Sequence, residues 1–293
     1  MQPRIGITLG DCAGIGPEIV RAALDSRRLP KSADYRIIGK YPDCSPGNPA
    51  PETARAAAAA LEEAVTLARR GELDAVVTAP INKAAAYEIG FKFPGQTEFF
   101  AERCGIKNFA MLLTGGKMTV ALVTTHIPLR DVAEALKQSE IVRVGLLLVD
   151  FLEHRPKKRA RIAVAGLNPH AGESGKIGRE EIEIIAPATA QLREFVAGRA
   201  EITGPVSPDT VFHRAVAGEF DAVLCMYHDQ GLIPLKLHAF HDGVNVTLGL
   251  PFPRTSPDHG TAFAIAGKGV ARPDSMIAAI NLAAQLAAPS RPK

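Results

Sequence analysis

Three histidines stand at or just beyond the ends of apolar, strand-like segments. His126 ends VALVTTH, His170 ends RIAVAGLNPH, and His228 follows DAVLCMY. Side chains at such positions in α/β proteins tend to lie in the crevice where ligands bind. Imidazole is the commonest transition-metal ligand, and three protein ligands with one open position form a catalytic metal site. The residues favour such a site if they converge, although their separations match no local zinc motif and each alone also suits a structural role.

Further polar residues lie between positions 226 and 261, around two apolar segments that we interpret as strands. Lys236 and Arg254, close to strand ends, predict a site for a phosphate or carboxylate, with solvated loop charge as the alternative. Asp229 directly follows His228, and Asp209 lies in a turn-rich loop. A carboxylate can hold a ligating imidazole by its other ring nitrogen, but Asp209 equally suits a helix N-cap.

The elements that must position these residues alternate regularly along the chain. IGITL, DAVVTAP and GVNVTLGL read as strands, whereas TARAAAAALEEAVTLARRG and MIAAINLAAQLA read as helices. Thr53 is a candidate N-cap for the first of these helices, and Gly71 is its stop signal. This rhythm predicts an α/β fold whose mostly parallel sheets are covered on both faces.

Composition excludes several classes of partner. The 293 residues are 46% hydrophobic and carry a net charge of +3, which does not favour nucleic-acid binding. The basic run at 155–161 reads as a solvated linker. The four scattered cysteines predict neither a disulfide framework nor a cysteine zinc site. We expect no membrane span and no signal peptide, and therefore a cytoplasmic protein.

The first strand-to-helix turn, GDCAGIGPE, resembles a phosphate-binding turn but fails the dinucleotide fingerprint. After Gly14 and Gly16, the third glycine position holds Ile19, and the second strand ends in Gly39-Lys40 without an acid for a ribose hydroxyl. An ordinary Rossmann cofactor site is therefore disfavoured. A tight turn and a ligand loop of another kind both remain open.

Eight motifs in order make the chain recognisable: GDCAGIGPE, TAPINK, FPGQTEFFAE, TTHIPLRDV, GLNPHAGE, MYHDQG, GVNVTLGLPFPRTS and DHGTAFAIAGKG. Together they resemble the 4-hydroxythreonine-4-phosphate dehydrogenase family from about residue 4 to residue 287. The C-terminal segment also resembles the cofactor segment of isopropylmalate and isocitrate dehydrogenases, which bind NAD without a Rossmann fingerprint. The resemblance therefore accounts for the failed fingerprint.

The resemblance implies a homodimer of two-domain α/β/α subunits, with residues 1–93 and 246–293 in one domain and 94–245 in the other. The active site would lie in the cleft and be shared between subunits. It implies oxidation of 4-phosphohydroxy-L-threonine by NAD or NADP with one divalent ion (Zn, Mg or Co). The product, 2-amino-3-oxo-4-phosphooxybutanoate, would decarboxylate to 3-amino-2-oxopropyl phosphate in pyridoxal phosphate biosynthesis.

The family's functional residues transfer to this chain by motif. The metal ligands would be His126, His170 and His228, shared between subunits. Asp229, Lys236 and Asp209 would support catalysis, and His259 and Gly260 would lie near the cofactor. The substrate contacts would be Gln96, Thr97, Lys236, Asn245 and Arg254.

Three departures from the family pattern leave alternatives open. Gln96 stands where the family usually has histidine, Cys12 replaces a usual proline, and the proline-rich segment 41–51 is shortened. Because Gln96 cannot carry charge, a related activity on 4-phospho-threonate or 4-phospho-erythronate is one alternative. A dihydrodiol dehydrogenase is a second, disfavoured by the retained phosphate contacts. From another class, a metal hydrolase would activate water on the same histidines, but would have no use for the cofactor segment.

Overall fold

The computed structural model describes residues 2–155 and 159–288 and forms ten strands and ten α-helices over that part of the chain. The strands are β1 (Arg4–Thr8), β2 (Asp34–Ile38), β3 (Ala75–Thr78), β4 (Ala110–Gly115), β5 (Met118–Leu122), β6 (Ala160–Ala165), β7 (Ala200–Val206), β8 (Ala222–Cys225), β9 (Val244–Leu248) and β10 (Arg254–Pro257). The helices are α1 (Gly16–Asp25), α2 (Pro51–Arg69), α3 (Lys83–Glu88), α4 (Gln96–Arg103), α5 (Val132–Ala135), α6 (Gln138–Glu153), α7 (Ala186–Phe195), α8 (Pro208–Val216), α9 (His228–His238) and α10 (Asp274–Ala287).

The chain divides into two compact units. The first unit runs to Lys107 and resumes at His241, and the second unit is Asn108–Phe240. From the sequence we expect domain boundaries at 93/94 and 245/246. Those boundaries stay a prediction, which limited proteolysis can test.

The strands of the first unit are ordered β2-β1-β3-β10-β9. Neighbours are parallel except β9, which runs antiparallel to β10. Their alternation with helices buries β1 and β3 almost completely, since Ile5, Ile7, Val76 and Val77 have no exposed surface. In the same unit, α4 contributes Phe99 and Phe100 to an aromatic cluster, and these two rings are in edge-to-face contact.

The strands of the second unit are ordered β4-β5-β8-β6-β7. The first two form an antiparallel hairpin, and the other pairs are parallel. Gly116, at the hairpin turn, has a φ of +54°, which glycine adopts readily. The parallel strands place the carboxyl ends of β5, β8 and β6 at one edge, where three of the predicted site segments begin.

The predicted α/β class is confirmed, but some local assignments are wrong. Lys236, which the sequence predicts close to a strand end, lies in helix α9. Helix α2 begins at Pro51, and Thr53 bonds the Ala50 backbone from the third helical position instead of capping the helix. Part of the basic run, residues 156–158, lies outside the described residues.

Over the residues that the structure describes, no helix is both long enough and apolar enough to span a membrane.

Candidate active site

His126 and His228 are brought together by neighbouring parallel strands. Strands β5 and β8 pair from Val120 with Val223 to Leu122 with Cys225. Backbone bonds continue the pairing beyond the strands, because Thr124 N–H donates to the Met226 carbonyl at 3.1 Å. The two imidazole centroids lie 5.6 Å apart with the ring planes inclined by 44°. The convergence predicted for these two histidines follows from this strand pairing.

A neighbouring carboxylate orients the ring of His228. Its Nδ1 lies 2.7 Å from Asp229 Oδ1. Because a carboxylate accepts hydrogen bonds, this contact favours the tautomer of the neutral imidazole that has its proton on Nδ1 and its lone pair on Nε2. This is the arrangement that metal-ligating histidines use, in which an outer carboxylate fixes the tautomer.

His170 lies in an unusual loop after β6. Residues 170–174 all have positive φ, between +42° and +78°, and so form a left-handed turn. The His170 side chain is 62% exposed, and its Nδ1 lies 3.9 Å from Asp209 Oδ2. Asp209 is in the first turn of α8, where it accepts from Ser207 Oγ at 2.5 Å and does not cap the helix.

The three predicted histidine ligands suit a divalent metal chemically, but a single chain brings only His126 and His228 together. Two adjacent imidazoles, one with its Nδ1 proton fixed, offer the borderline nitrogen donors that Zn²⁺ and Co²⁺ accept. Residues 2–155 and 159–288 of a single chain contain no group of three or more His, Cys, Asp or Glu arranged to hold a metal ion. Within this chain, His170 lies on its own loop, with its ring 3.9 Å from the Asp209 carboxylate.

In the first unit, Arg254 forms the centre of a buried polar cluster. The residue is 3% exposed, and its guanidinium donates to Thr78 Oγ1, to Thr247 Oγ1 at 3.3 Å and to Gln96 Oε1 at 3.0 Å. Burial lowers the pKa of Arg254 to about 10, against a smaller opposing effect of the Glu98 carboxylate. The guanidinium therefore keeps its charge at neutral pH, in surroundings that have removed water from it.

Two other predicted substrate residues lie in the same cluster. Gln96 begins α4 and donates from Nε2 to the Ala79 carbonyl at 3.1 Å, while Thr97 shares a hydrogen bond of 3.2 Å with Thr247. Among the described residues, neither Arg254 Nε nor Asn245 Oδ1 has a hydrogen-bond partner. The Arg254 Nε–H can therefore donate a hydrogen bond to a ligand, and Asn245 Oδ1 can accept one.

The first strand-to-helix turn packs against the loop of the predicted cofactor residues. Ile15 N–H donates to the Thr261 carbonyl at 2.9 Å, and a Cβ on Gly14 would lie 2.8 Å from that oxygen. His259 and Gly260, immediately before Thr261, are exposed at the same place. The glycine at position 14 is therefore required for close approach of the two loops, which a substituted residue would prevent.

Sequence reasoning missed the residues that support the site from behind. Thr78 and Thr247 hold Arg254, and Gln230 and Glu181 bind the backbone around the histidine segments. Thr78 occurs inside an apolar run, VVTAP, where a lone polar residue indicates a buried hydrogen bond. Gln230 directly follows the polar His228 and Asp229, so the sequence carries no such signal for it.

Comparison with known proteins matches this chain to one family. Residues 18–283 match the family model described as pyridoxal phosphate biosynthetic protein PdxA. The 4-hydroxythreonine-4-phosphate dehydrogenase of Desulfosudis oleivorans is 44% identical, over 98% of this chain and 97% of that protein. A solved structure of the enzyme of that name from Klebsiella pneumoniae has a TM-score of 0.82 and 40% identity, covering 98% of both chains.

More distant structures share the fold. A terephthalate 1,2-cis-dihydrodiol dehydrogenase from Burkholderia xenovorans is 29% identical, with a TM-score of 0.70 and coverage of 97% and 98% of the two chains. An isocitrate dehydrogenase from Methylococcus capsulatus, at 15% identity, covers 94% of this chain and 83% of its own with a TM-score of 0.51, which is a likeness of fold alone. The family match spans most of the chain, and the chain belongs to the PdxA family of pyridoxal phosphate biosynthetic proteins.

Proposed function

We propose that the protein oxidises 4-phosphohydroxy-L-threonine at C3 with NAD⁺ or NADP⁺ and a divalent ion. The alcohol loses a hydride to the nicotinamide and a proton to a base, which gives 2-amino-3-oxo-4-phosphooxybutanoate. This β-keto acid then loses CO₂ to give 3-amino-2-oxopropyl phosphate. The observation that carries the proposal is the buried Arg254 cluster in a chain that belongs to a family of pyridoxal phosphate biosynthesis.

The Arg254 cluster is suited to an anionic part of the substrate. Its guanidinium is fully buried and charged, and Thr78, Thr247 and Gln96 fix its plane. A preoriented cation in a dry site binds phosphate or carboxylate more strongly than an exposed one. Asn245 Oδ1 would accept from a substrate hydroxyl or amino group. Binding energy from the non-reacting groups then fixes the position of C3.

The metal would be held by His126 and His228 of one subunit and His170 of a second copy of the chain. When bound, the ion supplies Lewis-acid stabilisation of the developing alkoxide. Asp229 fixes the tautomer of His228, and Asp209 lies beside His170. We assign both acids supporting roles, and we assign Lys236 to substrate contact.

The homodimer is supported by apolar surface on the histidine segments. Leu129 follows His126 and is 70% exposed, while Ile233 and Leu237 lie on α9, which begins at His228, and are 66% and 89% exposed. Large exposed aliphatic side chains of this kind are typical of a protein–protein interface. A second copy that covers them would bring its own residues next to His126 and His228.

The cofactor is proposed to bind beside the loop of His259 and Gly260, which packs against the first strand-to-helix turn. NAD and NADP differ at the ribose of the adenosine half, where NAD has a 2′-hydroxyl and NADP has a 2′-phosphate. The loop residues give no basis for a choice between them, so both cofactors are assigned. The three imidazole nitrogens suit zinc and cobalt, whereas magnesium prefers oxygen ligands. All three ions are assayed, because availability commonly decides which metal a site holds.

The test is production of NADH or NADPH from 4-phosphohydroxy-L-threonine by protein first stripped of metal and then supplied with Zn²⁺, Mg²⁺ or Co²⁺. We expect turnover that requires an added ion, and release of CO₂ equal in amount to reduced cofactor. Unchanged turnover without any ion would contradict the metal assignment. Absence of cofactor reduction with every ion, together with hydrolysis of phosphate esters, would favour the metal hydrolase.

Gln96 supports a second candidate, oxidation of 4-phospho-threonate or 4-phospho-erythronate. Both polar atoms of its amide are used within the protein, on Ala79 and Arg254, and the side chain is neutral. A neutral side chain at this position gives no charge with which to select an amino acid over a hydroxy acid. Assays with the amino and hydroxy substrates side by side decide, since the true substrate has the higher kcat/KM.

A further inference from the structure

The loop that carries His170 is held from behind by a buried carboxylate that has no assigned role. Glu181 is 3% exposed and opens a π-helical turn, Glu181–Ile185, that leads into α7. Its Oε1 accepts from the backbone N–H groups of Leu167 and Asn168, both at 2.7 Å, and its Oε2 accepts from Asn168 Nδ2 at 2.9 Å. Two successive backbone donors that share one oxygen form a strong anion-binding arrangement.

Close packing against Glu181 requires glycine on both sides of His170. A Cβ on Gly172 would lie 2.7 Å from Glu181 Oε2, and a Cβ on Gly166 would lie 3.2 Å from Oε1. The loop thus passes over the carboxylate at Gly166, donates two backbone hydrogen bonds to it from residues 167 and 168, and returns to it at Gly172. His170 stands between these points of attachment.

The loop needs such an anchor because its conformation is unfavourable for most residues. His170, Ala171, Glu173 and Ser174 are non-glycine residues with positive φ. Each such residue is costly in a left-handed conformation, and persists only where the surroundings determine it. Most side chains of the turn are exposed, so packing alone does not hold it. Glu181 is the fully buried acid that binds the start of the turn, where the Asn168 side chain also donates to the partly buried Glu180 at 2.7 Å.

We propose that Glu181 is a positioning residue for His170, which fixes the left-handed turn and thereby the place of the imidazole. The proposal rests on the proposed function, in which His170 is a metal ligand. Glu181 does not itself touch the ion or the substrate. Loss of its charge would leave the two backbone donors with a weaker acceptor and would let the imidazole move, which weakens metal binding without changing the ligands.

The test compares Glu181→Gln with Glu183→Gln in the full-length protein. Gln keeps an acceptor for the backbone but places an amide N–H₂ group against Asn168 Nδ2, whereas Glu183 is exposed and bonds Arg179. We expect Co²⁺ affinity, followed by the visible absorption of the bound ion, to fall about 10- to 100-fold in Glu181→Gln and to be unchanged in Glu183→Gln. The Co²⁺ concentration for half-maximal turnover should rise by the same factor, with kcat at saturating Co²⁺ close to that of the wild type.

Hydrogen exchange at the amides of 167 and 168 separates the possible failures. Faster exchange at these amides in Glu181→Gln, with weaker Co²⁺ binding, supports the proposal. A lower melting temperature with unchanged Co²⁺ affinity of the folded protein would show a structural role only and would overturn it. If the wild type binds no Co²⁺, the proposed function fails. Faster exchange in Glu181→Gln would in that case show that Glu181 anchors the loop, but not that it positions a metal ligand.

Discussion

At the scale of single residues, the chemistry depends most on how Arg254 is held. A guanidinium removed from water is unfavourable unless several groups accept its hydrogen bonds. Arg254 has three side-chain acceptors, yet its Nε has no partner among the described residues. Thr78, Thr247 and Gln96 fix the plane of the group through its two terminal nitrogens, and leave the Nε–H unused. The residue is therefore prepared for an anion and is not saturated by the protein.

Replacement of Arg254 by lysine tests this role. Lysine keeps a charge but loses the planar, forked donors, so it cannot bond Thr78, Thr247 and Gln96 together. We expect kcat/KM for the phosphorylated substrate to fall about 100-fold, mainly through KM, in steady-state assays. The control is Arg103→Lys, which alters a partly exposed ion pair with Glu62 in the same unit and should change kcat/KM little. Equal losses in both variants would argue against a specific role.

Cys12 lies buried in the first strand-to-helix turn, where its role is to pack against its neighbours. Burial, and secondarily a hydrogen bond with Cys44, raises the pKa of Cys12 to about 12. At pH 8 only about one thiol in ten thousand would be ionised, and only the thiolate reacts readily. No nucleophilic role at neutral pH is compatible with that value.

Alkylation rates check this conclusion. We expect iodoacetamide to label Cys12 in the folded protein about a thousandfold more slowly at pH 8 than in urea, because the raised pKa removes the thiolate. The rate should increase as the pH rises towards 12. Cys225, whose pKa burial also raises, serves as an unreactive reference. Rapid native labelling of Cys12 at pH 8 would contradict the assigned environment.

At the scale of elements, the sequence predicted the class of fold and the convergence of two of the histidine segments. His126 and His228 meet because β5 and β8 are neighbours, but nothing local in the sequence specifies the order β5-β8-β6. Helix α9 was misread because it exposes Ile233 and Leu237 and contains Pro234, so its apolar pattern lacks helical periodicity. The left-handed turn at His170 was unreadable because most of its residues are not glycine.

Buried hydrogen bonds join the elements that carry the histidines. Gln230 of α9 accepts from Met226 N–H at 2.7 Å and donates to the Gly166 carbonyl at 2.7 Å. The Met226 carbonyl in turn accepts from Thr124 Oγ1 at 2.7 Å, on the segment that leads to His126. Fully satisfied polar networks of this kind specify one arrangement of the backbone.

Replacement of Gln230 by leucine tests that network. It would leave a backbone N–H and a carbonyl without their partner in a buried place, which costs about 2–4 kcal/mol in free energy of unfolding. Urea denaturation measures the loss as a lower midpoint. The exposed Gln138, at the start of α6, is the matched control, and its leucine variant should differ from wild type by less than about 0.5 kcal/mol. Equal stability of the two variants would show that the network contributes nothing.

At the scale of the whole molecule, the account depends on a second copy of the chain. The described part of one chain places His126 beside His228 but does not gather three metal-binding side chains in one group. The exposed Leu129 follows His126 by three residues, and the exposed Ile233 and Leu237 lie further along the helix that begins at His228. A symmetric dimer that buries this surface would add the missing ligand to each site and make two equal sites.

The most direct measurement mixes two inactive variants, His126→Ala and His170→Ala, after joint unfolding and refolding. In a mixed dimer, one of the two sites combines an intact His126 with an intact His170. Random pairing makes about half of the dimers mixed, so we predict metal-dependent NADH formation at about a quarter of the wild-type rate. Each variant refolded alone should stay inactive. Absence of any recovery, although mixed dimers form, would contradict a metal site shared between subunits.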